Sequence, residues 1–584
     1  MIASSRLTSW NRGSATRAWI VGFGIVVCAA GCERTSAGET ANGSDGRAHR
    51  TAPEAIPTVD SAQLAAALAA ALRAEQPPHL RADEWKTVAR IYASAKQSPL
   101  WLDRGRPAPR AMELSAALDS AESLGLRPAD YAASRVKTAL GAATSPDRVP
   151  DAQSLARADV LLTASFVAIV DDLLTGRLDP RRVEPSWHIG ARAFDVTARV
   201  EAAVDSARAG QKVADVLARL RPDYGSYGAL LSALARYRGL ARGGGWQPVA
   251  AGATLRRGDT GSRVSEIRRR LAAENFLPSA AGADTFDVAI AGAIAEFQRR
   301  HGLAIDSSVG TTTRRALNIP ASRRVTQIEV NLERLRWLPP DPGQRFIVVN
   351  VPAFILYAFE GKERTITMRV VVGSELTNRR TPIFADTMEY IQFGPYWNVP
   401  RSIAVNEILP QARRDRGYLT RNNYEILRGW GDNAPVVNPR SLSNAEMSSS
   451  RYRVRQKPGP NNALGRVKFM FPNDYAVYLH DTPARARFED TDRAASHGCV
   501  RVADPKALAE YVLHDRADWP ADKIASTLSA GRRVRVNLNH GPPVYLVYLT
   551  AFGREDQVLF RDDIYDRDDR LVKALATASR VARS

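Results

Sequence analysis

The sequence predicts a multidomain chain: an α-helical N-terminal domain, a small three-helix module, and a mostly β domain interrupted by an insertion. Three observations carry this prediction. Apolar residues recur at three- and four-residue spacing from Ser61 to about residue 242, a shorter helical block fills 254–318 after a glycine-rich break, and from Gln344 the pattern changes to β-branched and aromatic runs. With 584 residues and 45% hydrophobic content the chain can bury several cores.

The first stretch reads as a targeting signal. Residues 1–17 hold Arg6, Arg12 and Arg17 and no acid, and "AWIVGFGIVVCAA" follows as an uncharged apolar run, too short for a durable membrane span. It ends in "AAGC", which resembles the lipobox of bacterial lipoproteins. That resemblance implies a signal peptide over 1–31, loss of Cys28 with it, and Cys32 as a lipidated first residue. Ordinary cleavage nearby, with Cys32 a spare thiol, is the alternative. Glu33, not being aspartate, leaves an outer-membrane destination open, so the expected place is the periplasm, anchored to a membrane by lipid. Residues 32–58, rich in Gly, Ser, Thr and Pro, read as a flexible tether.

Over 59–242, "SAQLAAALAAALRAEQ", "DEWKTVARIYAS", "AMELSAALDSAESLGL", "ARADVLLTASFVAIVDDLLTGRL" and "YGALLSALARYRGL" predict an all-helical scaffold domain. No grouping of His, Cys or acids there suggests catalysis, and "RGGGWQP" reads as a hinge. In 254–318, three short helices each follow a polar or glycine-containing turn. Leu255, Gly258, Val264, Leu271, Phe286, Phe297, Gln298, Gly302, Leu303, Gly310, Thr313 and Leu317 fall in the order and spacing of the peptidoglycan-binding module of wall enzymes, which this segment resembles. "DSSVG" departs from that pattern, which commonly has a glycine after the aspartate. A spacer that binds nothing is the alternative reading.

The β domain spans about 323–552. "RFIVVNVPAFILYAFEGKERTITMRVVVG" predicts strands with a hairpin near Gly361, and "MEYIQFG", "RVKFMF", "YAVYLH", "RVRVNLN" and "PVYLVYLTAF" continue the pattern around one helical stretch, "DPKALAEYVLHD". Residues 404–454 interrupt it, and 553–584 form a C-terminal extension.

Charge and cysteine usage narrow the function. The net charge of +19 is spread through helical and strand-like segments, with no basic run and no aromatic-basic motif, which argues against nucleic acid; a polyanionic wall or a membrane surface suits an exported basic chain. Of three cysteines, Cys28 and Cys32 belong to the N-terminal signal, which leaves Cys499 in "SHGCVRV" with nothing to pair with, a reactive-thiol candidate. His480 and His497 are the imidazoles near it in sequence, Gly498 lets backbone approach a substrate, and Arg501 suits a carboxylate. Cysteine, imidazole, amide donors and a guanidinium together describe acyl transfer from a peptide. A zinc site built on the two histidines and Cys499 has weak support, since neither C-x-x-C nor H-E-x-x-H occurs.

The spacing H480-x15-S-H-G-C-V-R resembles the signature of the L,D-transpeptidase catalytic domain, and "YWNVPRSI", "RQKPGPNNALGRVKFMFPN" and "YLHDTP" resemble further blocks of that family in order. With the helical domain and the small module, the resemblance points to the large multidomain subgroup of Gram-negative bacteria. It implies Cys499 as nucleophile and His480 as base, with the Asp481 main-chain carbonyl orienting the imidazole. It further implies His497 and Gly498 at the oxyanion site, Arg501 and Ser496 supporting substrate or motif geometry, and Tyr478 lining the pocket. No metal or organic cofactor is implied. The implied reaction takes a tetrapeptide stem of peptidoglycan, expels D-alanine, and passes the acyl group to a second stem as a 3→3 cross-link. Water as acceptor (an L,D-carboxypeptidase), attachment of stems to a lipoprotein lysine, and a non-catalytic wall-anchoring lipoprotein are the alternatives. The 404–454 insertion resembles a lid in this subgroup; a plain surface loop is the alternative.

Overall fold

A computed structural model describes residues 59–74, 76–144, 151–190, 195–415, 417–431, 433–554 and 557–578. The expected signal peptide, Cys32 and the tether up to residue 58 lie outside the described residues.

The helical domain is built around Ala152–Thr175. Asp151 starts this helix by accepting from the Ser154 N–H at 2.8 Å, and Gly176, at φ 87°, ends it. Beyond its first turns the sequence is mostly apolar on every face, so nearly all of residues 158–174 are buried, with Ser61–Arg73, Ala82–Ser94 and Ala133–Thr144 packed against it. Asp159 is tolerated inside because it accepts from the Leu100 and Trp101 N–H groups at 2.9 and 2.8 Å and from the Tyr92 hydroxyl. The domain is not wholly helical. Trp187–His188 is a short strand that pairs in parallel with Ile383–Thr387, so the scaffold supplies the edge of the catalytic sheet. Two residues are too few to show a two-residue alternation, which is why the sequence predicts no strand in this domain.

In the small module, Ser262–Ala273, Val288–His301 and Thr311–Leu317 enclose Val264, Ile267, Leu271, Phe286, Ile294, Phe297 and Leu317. Buried Gln298 organises the "DSSVG" loop: its amide donates to Asp306 Oδ1 (2.7 Å), the Ser308 carbonyl (3.0 Å) and Thr313 Oγ1 (3.1 Å), and its Oε1 accepts from the Asp306 and Ser307 N–H groups. Ser307 sits at φ 57°, a left-handed conformation that explains why a glycine is at home there.

The "RGGGWQP" segment does not act as an open hinge. Trp246 Nε1 donates to the Ile319 carbonyl at 3.2 Å, the Arg270 guanidinium lies 3.6 Å from the Trp246 ring, and the Tyr237 hydroxyl bonds to Glu274. On the module's other side His301 stacks on Phe560 at 5.5 Å and Arg561 donates to the Arg300 carbonyl at 3.0 Å. The module is therefore clamped between helix Gly225–Arg242 and the hairpin Ala551–Phe560.

Among the described residues the catalytic sheet has twelve strands. Along it run Val534–Asn537, Tyr390–Phe393, Val467–Met470, Leu479–His480, Val500–Val502, Glu363–Gly373, Ile355–Glu360, Arg345–Asn350, Pro543–Val547, Ile383–Thr387 and Trp187–His188, with Ala494–Ser496 pairing Glu363–Gly373. Helix Ala321–Arg336, not expected from the sequence, connects the scaffold to this sheet. Its charged composition hides a buried helix whose polar groups are paired: Arg336 with Glu333 (3.0 Å), Arg334 with Asp568 (2.5 Å), and Asn331 with Thr550 Oγ1 (2.8 Å). Two more helices, Ala521–Ala530 and Asp568–Thr577, were also unmarked in the sequence. The insertion folds as a subdomain with a four-stranded sheet that includes Trp397–Asn398 and its own core of Val399, Ala404, Ile408, Leu409, Leu419, Ile426 and Val454.

Candidate active site

The site grows out of strand alternation. On Leu479–His480 and Val500–Val502 the residues Leu479, Val500 and Val502 point into the core with no exposure, which turns Tyr478, His480, Cys499 and Arg501 to the opposite face. The two strands run parallel with Leu479 facing Val500 and His480 facing Arg501, and the Val500 N–H donates to the Tyr478 carbonyl at 3.1 Å. Tyr478 therefore lies beside Cys499, and both its hydroxyl and its main-chain N–H interact with the thiol. The sulfur also donates to the Ala476 carbonyl at 3.5 Å.

His480 is buried and its Nδ1 lies 2.5 Å from the Asp481 carbonyl, the main-chain partner named from the sequence. That contact fixes Nδ1 as the protonated nitrogen and leaves Nε2 as the basic one. The Asp481 carboxylate is turned away, accepting from the Arg466 N–H at 2.8 Å and from Arg485 at 3.2 Å. Burial first, and the positive charges of Arg501 and Lys468 next, hold His480 down at about 3. Burial pushes the Cys499 thiol up, against the opposing pull of the Tyr478 hydrogen bonds, Arg501 and Lys468. The resting pair is thus a thiol and a neutral imidazole.

The turn that carries Cys499 is closed by Ser496, whose hydroxyl donates to the Cys499 carbonyl (2.6 Å) and accepts from the Gly498 N–H (3.1 Å). Gly498 adopts φ 118°, which requires glycine. Its N–H is occupied within the turn by the Ser496 hydroxyl, unlike the oxyanion donor expected for it. His497 points elsewhere: its Nε2 is 2.6 Å from Glu407 of the insertion, and Glu407 also pairs with Arg379 at 2.9 Å.

Three contributors escaped the sequence. Thr381 Oγ1 donates to the Gly498 carbonyl (2.8 Å) and accepts from the Gly373 N–H (2.9 Å), while the Thr381 N–H donates to the Tyr565 hydroxyl (3.1 Å), which in turn donates to the Gly373 carbonyl (2.5 Å). Tyr565 comes from the C-terminal extension. Lys468 faces His480 across the antiparallel pair Val467–Met470 and Leu479–His480, with its ammonium 5.3 Å from the Tyr478 ring. "RVKFMF" was read as a strand, but which strand it pairs with is not a local property. Among the described residues no group of three or more His, Cys, Asp or Glu side chains is placed to hold a metal ion.

Residues 344–536 match the L,D-transpeptidase catalytic domain family, 86–234 the family described as "Scaffold domain", and 260–317 the family described as "Putative peptidoglycan binding domain". The chain carries an L,D-transpeptidase catalytic domain. A Haemophilus influenzae protein named "Putative L,D-transpeptidase" is 34% identical over 257 residues, covering 43% of this chain and 51% of that protein, so this chain spans about half the length of the relative it matches. Among solved structures, the L,D-transpeptidase of Xylanimonas cellulosilytica is 15% identical, with coverage of 52% of this chain and 100% of that one and a TM-score of 0.15. A fused Zn-dependent amidase/peptidase/peptidoglycan-binding domain-containing protein of Clostridium acetobutylicum is 14% identical, with coverage of 51% and 100% and a TM-score of 0.14. At those scores neither likeness bears on the fold. The fold rests instead on the transpeptidase domain's own elements: a sheet whose one face is core and whose other face presents Cys499, His480 and Arg501.

Proposed function

We propose that the protein is a cysteine-dependent L,D-transpeptidase that forms 3→3 cross-links in peptidoglycan. The observation that carries the reading is the shared sheet face on which Cys499 lies beside Tyr478 and Arg501 and on which His480, fixed by the Asp481 carbonyl, keeps Nε2 as its basic nitrogen. In the first stage the thiol proton passes to His480 as Sγ attacks the carbonyl of the third stem residue. The carbon–nitrogen bond to D-alanine breaks, His480 returns the proton to the leaving amine, and a thioester remains. The Cys499 N–H is the amide donor available to the oxyanion. In the second stage the side-chain amine of another stem attacks the thioester, loses its proton to His480, and releases the sulfur. We further propose a periplasmic location with lipid on Cys32, and a glycan contact through 254–318.

The test is mass analysis of muropeptides after incubation with purified protein. D-alanine release with cross-linked dimer supports the reading, while release with tripeptide alone assigns water as the acceptor. Cys499→Ala removes the nucleophile and little volume, so both products should vanish with the fold retained. Undiminished product from that variant overturns the enzyme reading.

A further inference from the structure

The face of the sheet that carries Cys499 also carries a row of cations. In register across five strands stand Arg535, Gln392, Lys468, His480 and Arg501. His480 is thus flanked by Lys468 on one neighbouring strand and Arg501 on the other, roughly 10 Å apart between backbones, both on the face that carries Cys499.

Both cations are partly buried, and among the described residues neither has a hydrogen-bonded or ion-paired carboxylate; the Arg501 Nε is buried with no partner at all. The carboxylate next to His480, Asp481, is occupied by Arg466 and Arg485, and Asp504, three residues after Arg501, accepts from the Ala507 N–H at 3.0 Å as the cap of the following helix. Desolvating an unpaired cation costs several kcal/mol, and this fold does so twice beside a neutral imidazole. The Cys499 sulfur draws both cations upward against burial when it is a thiolate. In the resting thiol form it balances neither, and both positive charges are left for an anion that arrives.

We propose that Lys468 and Arg501 form a two-cation cradle for a carboxylate of the stem peptide, and that the carboxylate they take is that of the terminal D-amino acid which Cys499 expels. This rests on the transpeptidase reading for the identity of the ligand. The leaving residue's carboxylate is separated from the scissile carbon only by its nitrogen and its α-carbon, so a carbonyl placed at Sγ puts that carboxylate within reach of the row. The cradle selects a donor that ends in a free carboxylate at the fourth residue, and it positions the scissile bond beside His480. Arg535 and Gln392 continue the row away from the sulfur, and the Arg535 guanidinium is engaged over the Tyr390 ring at 3.7 Å, so the cradle ends at Lys468.

The experiment separates this assignment from the function. In the full chain carrying Cys499→Ala, which lacks the nucleophile and cannot turn over, a tetrapeptide stem and its C-terminal amide are titrated by calorimetry. A charge-assisted contact predicts that the acid binds about tenfold to a hundredfold tighter. Adding Lys468→Met should shrink that gap to about threefold or less, and Lys468→Arg should retain most of it. Lys468→Gln serves if the Met variant loses the native thermal transition. An acid-to-amide gap unchanged in both neutral variants, or an equal loss of affinity for acid and amide, overturns the proposal, as does failure of every form to bind. A stem amidated instead on a side-chain carboxylate of the third residue tests the source: if the gap follows that group, the assignment to the terminal residue falls. D-alanine release by the wild-type protein is measured alongside; a retained gap without release sinks the transpeptidase reading and leaves the cradle standing.

Discussion

His480 is held at about 3 by burial and by Arg501 and Lys468, so it stays neutral through the pH range in which an ordinary imidazole gains its proton. Between about 3 and the ordinary 6.5 the unfolded chain binds a proton at this residue that the folded chain refuses. Stability from this group is complete above the unfolded value and is lost as pH falls through the window, by an amount on the order of 5 kcal/mol across it. Calorimetric melting of wild type and His480→Gln at pH 7 and pH 4 should show the variant losing less on acidification; equal losses refute the burial argument. D-alanine release should correspondingly lack an acid limb near 6.5. Tyr565 supplies the second prediction at this scale. Tyr565→Phe leaves the buried Thr381 N–H without its acceptor and the Gly373 carbonyl without its donor. A cost of about 1–3 kcal/mol is expected, and because Thr381 holds the Gly498 carbonyl, kcat should fall about tenfold with KM little changed. An unchanged kcat would remove Tyr565 from the positioning of the Cys499 turn.

Among the elements, the insertion 404–454 has a core of its own and touches the cysteine turn through Glu407, which meets both His497 and Arg379. A folded cap pinned to the motif can exclude water from a thioester, and the acceptor that reaches it first decides the product. Glu407→Gln should therefore raise the ratio of tripeptide to cross-linked dimer more than it lowers D-alanine release, read by muropeptide mass analysis. An unaltered ratio would take the cap out of the mechanism. The small module offers a cleaner structural test. Ser307 pays for a left-handed backbone inside a loop that Gln298 holds in place. Ser307→Gly should raise the melting temperature of the full chain, the gain at this site being up to about 1 kcal/mol; a lowered melting temperature would show that the Ser307 side chain contributes something the backbone argument omits.

Across the whole molecule, helix Ala321–Arg336 is the joint between scaffold, sheet and C-terminal extension. Glu333 accepts from the Arg177 and Leu178 N–H groups of the scaffold at 2.5 and 3.0 Å and pairs with Arg336, whose guanidinium also reaches the Leu124 carbonyl (2.7 Å) and the Tyr227 hydroxyl (3.1 Å). Glu333→Ala strips a fully buried ion pair of one partner, a change that costs about 3–5 kcal/mol. Calorimetry should show the helical domain and the sheet losing stability together; loss confined to one of them would mean that this helix does not couple the two. The scaffold contributes in a second way, because His188 on its edge strand stacks at 4.5 Å on Tyr475, next to the Ala476 carbonyl that accepts from Cys499.

What the sequence determined by itself was local. Three- and four-residue spacing marks Ala152–Thr175 as a helix, and two-residue alternation puts Tyr478 on the face of His480. A compact string such as "SHGCVRV" exposes an unpaired thiol among groups that suit it to attack a carbonyl. Each of those signals is complete within a few residues. What only the tertiary structure decided depends on separations the chain's period cannot encode. Lys468 gains its meaning from antiparallel register with His480, Tyr565 from a C-terminal return of 184 residues to Thr381, Glu407 from the docking of a subdomain 90 residues before His497. Helix Ala321–Arg336 looks polar because its charges find partners only when scaffold, sheet and extension close around it. Periodicity reports which face of an element is buried; burial of the assembled chain decides what that face meets.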